Sequence, residues 1–181
     1  TFPHSDSFPF IFFDLDGTLL NTLNDIADAM NQVLLENGFP SHPIDMYKYF
    51  IGDGLVHFGE RALPKEITAP ESWPNYRQAF RVVYANNWHM TTRPYPGIPS
   101  LLTHLKQQDI RLAVLSNKAH EYTTQMVLTL LDKWKFQKVL GARAEFPKKP
   151  NPKAALHILE HMHLRPDECL FVGDSGVDMQ T

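Results

Sequence analysis

Residues 10–19 of this chain read Phe-Ile-Phe-Phe-Asp-Leu-Asp-Gly-Thr-Leu. Four apolar residues in a row are typical of a strand that is buried on both faces, as in a parallel sheet. Two carboxylates, Asp14 and Asp16, follow this strand, and burying them costs free energy unless something compensates their charge. Gly17 permits a sharp turn at this point. The stretch therefore predicts a strand that ends at a site for a hard cation, which carboxylate and backbone oxygens of the two aspartates can share.

Three further apolar runs, 112–115, 138–140 and 169–172, predict the remaining strands, each of them also buried on both faces. A segment with helical periodicity precedes each run. The last of these helices is expected to begin with Asn151 as its N-cap and Pro152 at its first position. Strands that alternate with helices indicate an α/β fold with a doubly wound parallel sheet. Such sheets carry their chemistry just past the carboxyl ends of the strands.

The stretch 22–93 interrupts this alternation. It contains two apolar stripes with helical spacing, several prolines between them and no convincing strand. A Pro-Tyr-Pro-Gly sequence at 94–97 marks the return to the α/β pattern. We therefore expect an α/β core domain formed by residues 1–21 and 94–181, and an inserted all-helical domain formed by residues 22–93.

Polar side chains follow the predicted strands, where a doubly wound sheet places its functional groups. They are Ser116 and Asn117 after the second strand, Lys149 in a proline-rich loop before the fourth, and Asp174 and Asp178 after the fourth. Carboxylates can hold a divalent metal, a hydroxyl and an amide can bind an oxyanion, and a lysine can neutralise charge. Phosphoryl transfer requires this set, because its catalysis consists mostly of positioning and charge stabilisation.

Each motif taken alone has an ordinary structural explanation, since Asp and Gly favour turns and acidic residues favour helix N-termini. Together, the order Asp-x-Asp-Gly-Thr-Leu, Ser-Asn-Lys, Lys-Pro-x-Pro and Gly-Asp-Ser-x-x-Asp resembles the four motifs of the haloacid dehalogenase superfamily. The helical insertion and the Tyr-Pro-Gly sequence at 95–97 are most similar to its phosphoglycolate phosphatase group, which carries a helical cap. The resemblance implies a Rossmann-like core with the insertion as cap domain.

The resemblance also implies a phosphoric monoester hydrolase that acts on a small phosphorylated metabolite with Mg²⁺ as cofactor. Asp14 would attack phosphorus and form an aspartyl-phosphate, and Asp16 would act as general acid and then as general base. The expected metal ligands are Asp14, the backbone carbonyl of Asp16, and Asp174, with Asp178 as a ligand or a support. The groups expected to bind the phosphoryl are Ser116, Asn117 and Lys149, with backbone amides near Gly17 and Thr18.

The substrate is not decided by these motifs. The resemblance favours 2-phosphoglycolate, with a sugar phosphate, a nucleotide or pyrophosphate as alternatives. A sugar phosphomutase of the β-phosphoglucomutase type shares the motifs and the helical cap, and a non-catalytic binding module is a third possibility. Candidates for binding a substrate carboxylate are Arg61, Lys65 and Arg93, and a turn around Asp53 is a candidate to face the substrate.

Composition excludes several partners. The 181 residues include 17 Lys and Arg against 20 Asp and Glu, a net charge of −3 without a run of like charge, so we expect neither nucleic acid nor a membrane as partner. The single cysteine, Cys169, cannot form an internal disulfide, which favours the cytoplasm. We expect it to be a small buried hydrophobe in its strand. A monomer and a homodimer are both compatible with the sequence.

Two further expectations concern the C-terminal third of the chain. His157 and His161 have the spacing of metal ligands on a helix, but they lie off its apolar face, and we do not expect them to bind metal. The superfamily continues after Gly-Asp-Ser-x-x-Asp with the rest of a helix and a further strand. Because few residues follow Asp178 here, we expect the native protein to be longer than this chain, with the fourth predicted strand as an unprotected edge in its absence.

Overall fold

The computed structural model describes residues 8–67 and 73–181. The chain divides into two compact units. Among the described residues, one unit lies within Leu20–Pro94, and the other comprises residues 8–19 together with Tyr95–Thr181. The strands are β1 (Phe10–Phe13), β2 (Leu20–Asn21), β3 (Arg93–Pro94), β4 (Arg111–Ala119), β5 (Lys138–Ala142) and β6 (Cys169–Val172). The helices are α1 (Leu23–Glu36), α2 (Leu55–Ala62), α3 (Trp73–Asn87), α4 (Ile98–Gln107), α5 (His120–Met126), α6 (Lys153–His161) and α7 (Gly176–Gln180).

The second unit contains a parallel sheet whose order, among the described residues, is β5–β4–β1–β6. Strand β1 is central and fully buried, as its apolar sequence predicts. Phe10 lies opposite Arg111 on one side and Cys169 on the other. The predicted α/β class with a parallel sheet is confirmed, and all four predicted strands are present. None of the helices that the structure describes is long and apolar enough to cross a bilayer.

Helix α6 covers one face of this sheet. Its residues Ala154, Ala155, Ile158 and Leu159 are buried in one cluster with Phe10, Phe12, Ala113, Leu115 and Leu140. Burial of one large apolar side chain contributes roughly 1.5–3 kcal/mol, so this contact fixes the helix on the sheet. The helix begins at Lys153, one residue later than predicted, and the Asn151 side chain accepts a hydrogen bond from the Lys153 N–H at 3.0 Å.

The expectation that every strand is buried on both faces is wrong for β6. Leu170 and Val172 are 41% and 38% exposed, whereas Cys169 and Phe171 pack against the core cluster. The physical reason is that Cys169 and Phe171, on one face of β6, pack against the core cluster to which α6 contributes, whereas Leu170 and Val172 lie on the opposite face. Cys169 is accordingly half-buried rather than buried, and its thiol donates to the Pro166 carbonyl at 3.2 Å.

The unit Leu20–Pro94 consists mainly of α1, α2 and α3 with short 3₁₀ turns at Ile44–Tyr49 and Lys65–Ile67. Its two ends pair as an antiparallel ribbon, β2 with β3. A buried carboxylate, Asp25 in the first turn of α1, accepts hydrogen bonds from the backbone N–H and hydroxyl groups of Thr91 and Thr92 at 2.6–3.1 Å. Sequence reasoning did not predict this contact, which fastens α1 to the segment just before β3.

Candidate active site

The carboxyl ends of the parallel strands bring together the side chains predicted to be functional. Asp14 directly follows β1, and its N–H still donates to the Val172 carbonyl of the neighbouring strand at 2.9 Å. Strand β4 continues beyond its predicted end to Ala119 and therefore includes Ser116 and Asn117. Asp174 and Asp178 follow β6, and Lys149 lies in the loop before α6. Strands that run in parallel end at the same edge of the sheet, which explains this convergence.

Lys149 connects two of the carboxylates. Its ammonium nitrogen lies 3.0 Å from Asp14 Oδ1 and donates a hydrogen bond to Asp178 Oδ1. All three residues are buried, whereas the neighbouring Lys148 is exposed. The other oxygen of Asp178 accepts hydrogen bonds from the N–H and the hydroxyl of Ser175 at the start of α7. Asp178 is thus held from both sides and in turn fixes the Lys149 side chain.

Burial raises the pKa of Asp14 from its ordinary value of 3.8 to about 6. Lys149 opposes this effect, and the carboxylates of Asp178 and Asp16 add to it. Asp14 Oδ1 is fully buried and, although it is ion-paired with Lys149, has no correctly aligned hydrogen bond among the described residues. Such an oxygen is incompletely satisfied and is therefore suited to a further cationic partner.

Asp14, Asp174 and Asp178 form the cluster that suits a metal ion in the part of the chain that the structure describes. Each offers a carboxylate oxygen, and these atoms lie within 4.8 Å of one another. An all-oxygen set of carboxylates is the preference of hard divalent cations such as Mg²⁺. With the incompletely satisfied Asp14 oxygen, the residues present fit such an ion. The Asp16 carbonyl as a further ligand stays a prediction.

The turn after β1 is shaped by its proximity to Asp174. Gly17 has a φ of +82°, and a Cβ atom at this position would collide with the Asp174 carboxylate. The Thr18 hydroxyl donates to Asp174 Oδ1 at 3.0 Å. Glycine is therefore required here both for the backbone conformation and for the close approach of a candidate metal ligand.

Ser116 and Asn117 have different surroundings. Ser116 is buried, and its hydroxyl oxygen accepts a hydrogen bond from the Lys118 N–H at 3.2 Å. The Asn117 amide donates to the Lys149 carbonyl at 3.1 Å and accepts from the Lys149 N–H at 2.8 Å. Asn117 therefore clamps the backbone of Lys149. Its predicted contact with the phosphoryl group of a substrate stays a prediction.

Lys118 belongs to the Ser-Asn-Lys sequence expected to offer donors to an anion, but its contact with one of the two leading aspartates was not predicted. Its ammonium donates to Asp16 Oδ1 at 3.1 Å and to Oδ2 at 3.2 Å. The two side chains are only 9% and 17% exposed. A sequence signal was available, because Lys118 completes the Ser-Asn-Lys motif after an apolar strand.

Comparison with known proteins identifies the family. Residues 11–181 match the family model described as haloacid dehalogenase-like hydrolase. The chain belongs to this family. The phosphoglycolate phosphatase of Aquifex aeolicus strain VF5 is 35% identical over 170 residues, which are 94% of this chain and 78% of that protein. The phosphoglycolate phosphatase of Nitrosospira multiformis is 33% identical over 175 residues, covering 94% and 76% respectively.

A solved structure shows the same fold. The crystal structure of a predicted phosphoglycolate phosphatase from Haemophilus somnus 129PT superposes with a TM-score of 0.89 at 28% identity, covering 98% of this chain and 81% of that one. The expected membership of the haloacid dehalogenase superfamily, with a likeness to the phosphoglycolate phosphatases, is confirmed. So is the expected enzyme class, a phosphoric monoester hydrolase.

Tyr95 is a second residue of this haloacid dehalogenase-like hydrolase whose position sequence reasoning did not anticipate. Burial raises the pKa of its hydroxyl, and the nearby carboxylates of Asp174 and Asp16 raise it further. The phenol therefore lies beside the acidic cluster. The sequence indicated Tyr95 only through its resemblance to the phosphoglycolate phosphatase group.

The candidate residues for a substrate carboxylate have local partners in their own unit. Arg61 pairs with Asp53 at 2.5 Å and donates to the Tyr49 and Phe50 carbonyls at 3.4 and 3.3 Å. Arg93 donates to the carbonyls of His89 and Thr92 at 3.1 and 2.6 Å. Lys65 is exposed. Arg61 and the turn around Asp53 therefore stabilise one another.

His157 and His161 lie on the exposed side of α6, with ring centroids 4.2 Å apart. The His161 Nδ1 makes a hydrogen bond with the His157 carbonyl at 2.8 Å. Within the described residues these histidines are not part of the acidic cluster that can hold a metal.

Proposed function

We propose that the protein is a Mg²⁺-dependent phosphatase that hydrolyses a small phosphomonoester, with 2-phosphoglycolate as its substrate. The observation that carries this proposal is the pairing of two aspartates with two lysines at one edge of a parallel sheet. Asp14 lies against Lys149, and Asp16 lies against Lys118. Two carboxylates in different surroundings can take different chemical roles.

Asp14 is our candidate nucleophile. One of its oxygens forms a bond to phosphorus while the bond from phosphorus to the leaving oxygen breaks, which produces an aspartyl-phosphate and an alcohol. The carboxylate must be ionised to attack. The pKa of Asp14 is about 6 in the metal-free protein. Asp14 is therefore already largely ionised at neutral pH.

Asp16 is our candidate general acid and base. In the first step it gives a proton to the leaving alcohol oxygen, so that a neutral alcohol departs. In the second step its carboxylate takes a proton from a water molecule, whose oxygen attacks phosphorus and breaks the bond to Asp14. Inorganic phosphate leaves, and both aspartates return to their starting states.

The negative charge of the site must be reduced before a phosphate dianion can approach Asp14. Lys149 lies beside the nucleophile, and we propose that it contacts the transferring phosphoryl group together with Ser116, Asn117 and the backbone amides of Gly17 and Thr18. Asp14, the Asp16 carbonyl, Asp174 and Asp178 would hold the metal. When bound, Mg²⁺ supplies positive charge beside the transferring phosphoryl group.

The choice of substrate is supported by the relatives, since the curated proteins from A. aeolicus and N. multiformis are both named phosphoglycolate phosphatases. A two-carbon phosphomonoester is also small enough to be enclosed with the reacting carboxylates in a single site. The substrate's own carboxylate has no assigned partner in this structure.

Phosphate release tests the proposal. The protein is assayed with 2-phosphoglycolate, sugar phosphates, a nucleotide and pyrophosphate, in Mg²⁺ and in EDTA. We expect 2-phosphoglycolate to give the highest kcat/KM, with activity lost in EDTA and restored by Mg²⁺. Asp14→Asn should abolish turnover, whereas Asp132→Asn, a surface substitution, should not change it. Activity that survives Asp14→Asn would exclude Asp14 as the nucleophile, and conversion of β-glucose 1-phosphate to glucose 6-phosphate would indicate a mutase instead.

A further inference from the structure

The backbone N–H and the backbone carbonyl of Lys118 both form hydrogen bonds. Its backbone N–H donates to the Ser116 hydroxyl at 3.2 Å, and its carbonyl accepts a hydrogen bond from the Thr123 hydroxyl at 3.2 Å. Its side chain is almost inaccessible and reaches both oxygens of Asp16. A lysine side chain has large conformational freedom, so fixing it in one arrangement costs entropy that the surrounding contacts must offset. This is a rigid support rather than a surface ion pair.

Asp16 gains a support for its side chain from this contact. It lies between the end of β1 and the Gly17 turn, in a stretch shaped by the approach of Asp174. A general acid must present its proton within hydrogen-bond reach of the leaving oxygen, and a small misplacement costs much of the rate. A partner that contacts both carboxylate oxygens fixes the plane of the carboxyl group as well as its position.

The ammonium group of Lys118 also constrains where a proton on Asp16 can lie. An ammonium group has three donors and no acceptor. When Asp16 carries a proton, Lys118 can therefore donate only to the unprotonated oxygen, and the O–H has to lie on the other one. The two distances, 3.1 and 3.2 Å, are nearly equal, so the contact fixes the plane of the carboxyl group and leaves either oxygen able to carry the proton.

We propose that Lys118 is a positioning residue for general acid catalysis: its contact with both oxygens of Asp16 orients the proton that is delivered to the leaving alcohol. This inference rests on the proposed phosphatase function and deepens it. It assigns Lys118 a role different from that of Lys149, whose partners are Asp14 and Asp178.

Leaving-group dependence separates positioning of the acid from a general electrostatic role. The alcohol leaving 2-phosphoglycolate is a poor leaving group that needs a proton, whereas 4-nitrophenolate leaves without one. Both substrates form the same aspartyl-phosphate, whose hydrolysis also uses Asp16, so the first step is measured alone as the release of the alcohol or phenolate in a single turnover. We expect Lys118→Met to lower this single-turnover rate about 100-fold for 2-phosphoglycolate and less than about 10-fold for 4-nitrophenyl phosphate. Asp16→Asn should show the same selective loss in the first step. Lys148→Met, which removes the same charge from an exposed neighbour of Lys149, should leave both reactions unchanged.

The double variant Lys118→Met/Asp16→Asn completes the test. We expect it to be no slower than Asp16→Asn alone, because a positioning residue has no function without the group it positions. Lys118→Arg retains a charged donor to Asp16 and should keep at least about a tenth of wild-type kcat, which also provides a folded variant if Lys118→Met is unstable. Equal losses of the first-step rate on both substrates, or losses that multiply in the double variant, would overturn the inference. A wild-type protein that hydrolyses neither phosphomonoester would instead overturn the proposed function.

Discussion

Replacing Asp14 by asparagine in the metal-free protein removes a buried negative charge while leaving the shape of the side chain nearly unchanged. Asp14 ionises in the unfolded chain near its ordinary pKa of 3.8, and in the folded protein near 6, because burial disfavours its charged form. Between these values the folded state binds more protons than the unfolded state. The stability of the wild type relative to Asp14→Asn must therefore fall as pH rises.

The magnitude follows from the two pKa values. A rise from 3.8 to about 6 corresponds to about 3 kcal/mol of free energy of unfolding at 1.36 kcal/mol per pKa unit. This contribution is fully present below the unfolded value and is lost as pH rises through the folded value. Roughly 2 kcal/mol of it falls between about pH 4.5 and 7.5, a range in which most proteins can be unfolded reversibly.

Urea unfolding in EDTA measures the effect. The free energy of unfolding of wild type and Asp14→Asn is determined at intervals across this pH range, with Asp132→Asn as a surface control whose difference from wild type should stay constant. We use only the pH dependence of the difference, so any constant effect of losing the Lys149 contact cancels. A difference between wild type and Asp14→Asn that does not change with pH would refute the reasoning that burial governs Asp14.

Three further substitutions give expected outcomes. Asp25→Ala leaves the donors of buried Thr92 unsatisfied and removes the part-buried hydrogen bonds of Thr91, and should cost on the order of 3 kcal/mol in urea unfolding, whereas Asp45→Ala on the exposed 3₁₀ turn should cost less than about 0.5 kcal/mol. Gly17→Ala should weaken Mg²⁺ binding at least about tenfold in calorimetric titration, because its Cβ displaces Asp174; unchanged affinity would contradict Asp174 as a ligand. Ile158→Ala should lower the free energy of unfolding by about 2–5 kcal/mol without changing kcat, since it lies in the core cluster under α6.

The parts of the fold that follow from neighbouring residues in the chain could be predicted from the sequence. The apolar run of β1 and the acidic turn behind it indicated a buried strand and the edge at which functional groups collect, and Asp14, Lys149 and Asp178 do meet there.

Contacts between distant segments could not be predicted in this way. Asp25 and Thr91 are 66 positions apart, and Lys118 and Asp16 are 102 positions apart, so no local pattern connects either pair. The exposure of Leu170 and Val172 was missed for a related reason. An apolar run gives the composition of a strand, but the segments that pack on the sheet decide whether each of its faces is buried.

The uncharged side chain of Asn117 bears on the charge balance at the acidic edge of the sheet. When all four carboxylates of Asp14, Asp16, Asp174 and Asp178 are ionised, the ammonium groups of Lys118 and Lys149 compensate two of the charges. Within the described residues this leaves two formal negative charges, the amount that one divalent cation balances. Asn117 holds both the N–H and the carbonyl of Lys149 without altering that balance, because a carboxamide donates and accepts while uncharged. An aspartate of the same size at position 117 could keep only the accepting half of the clamp and would add a third uncompensated charge. At position 117 the absence of charge on the side chain is therefore as important for the site as its shape.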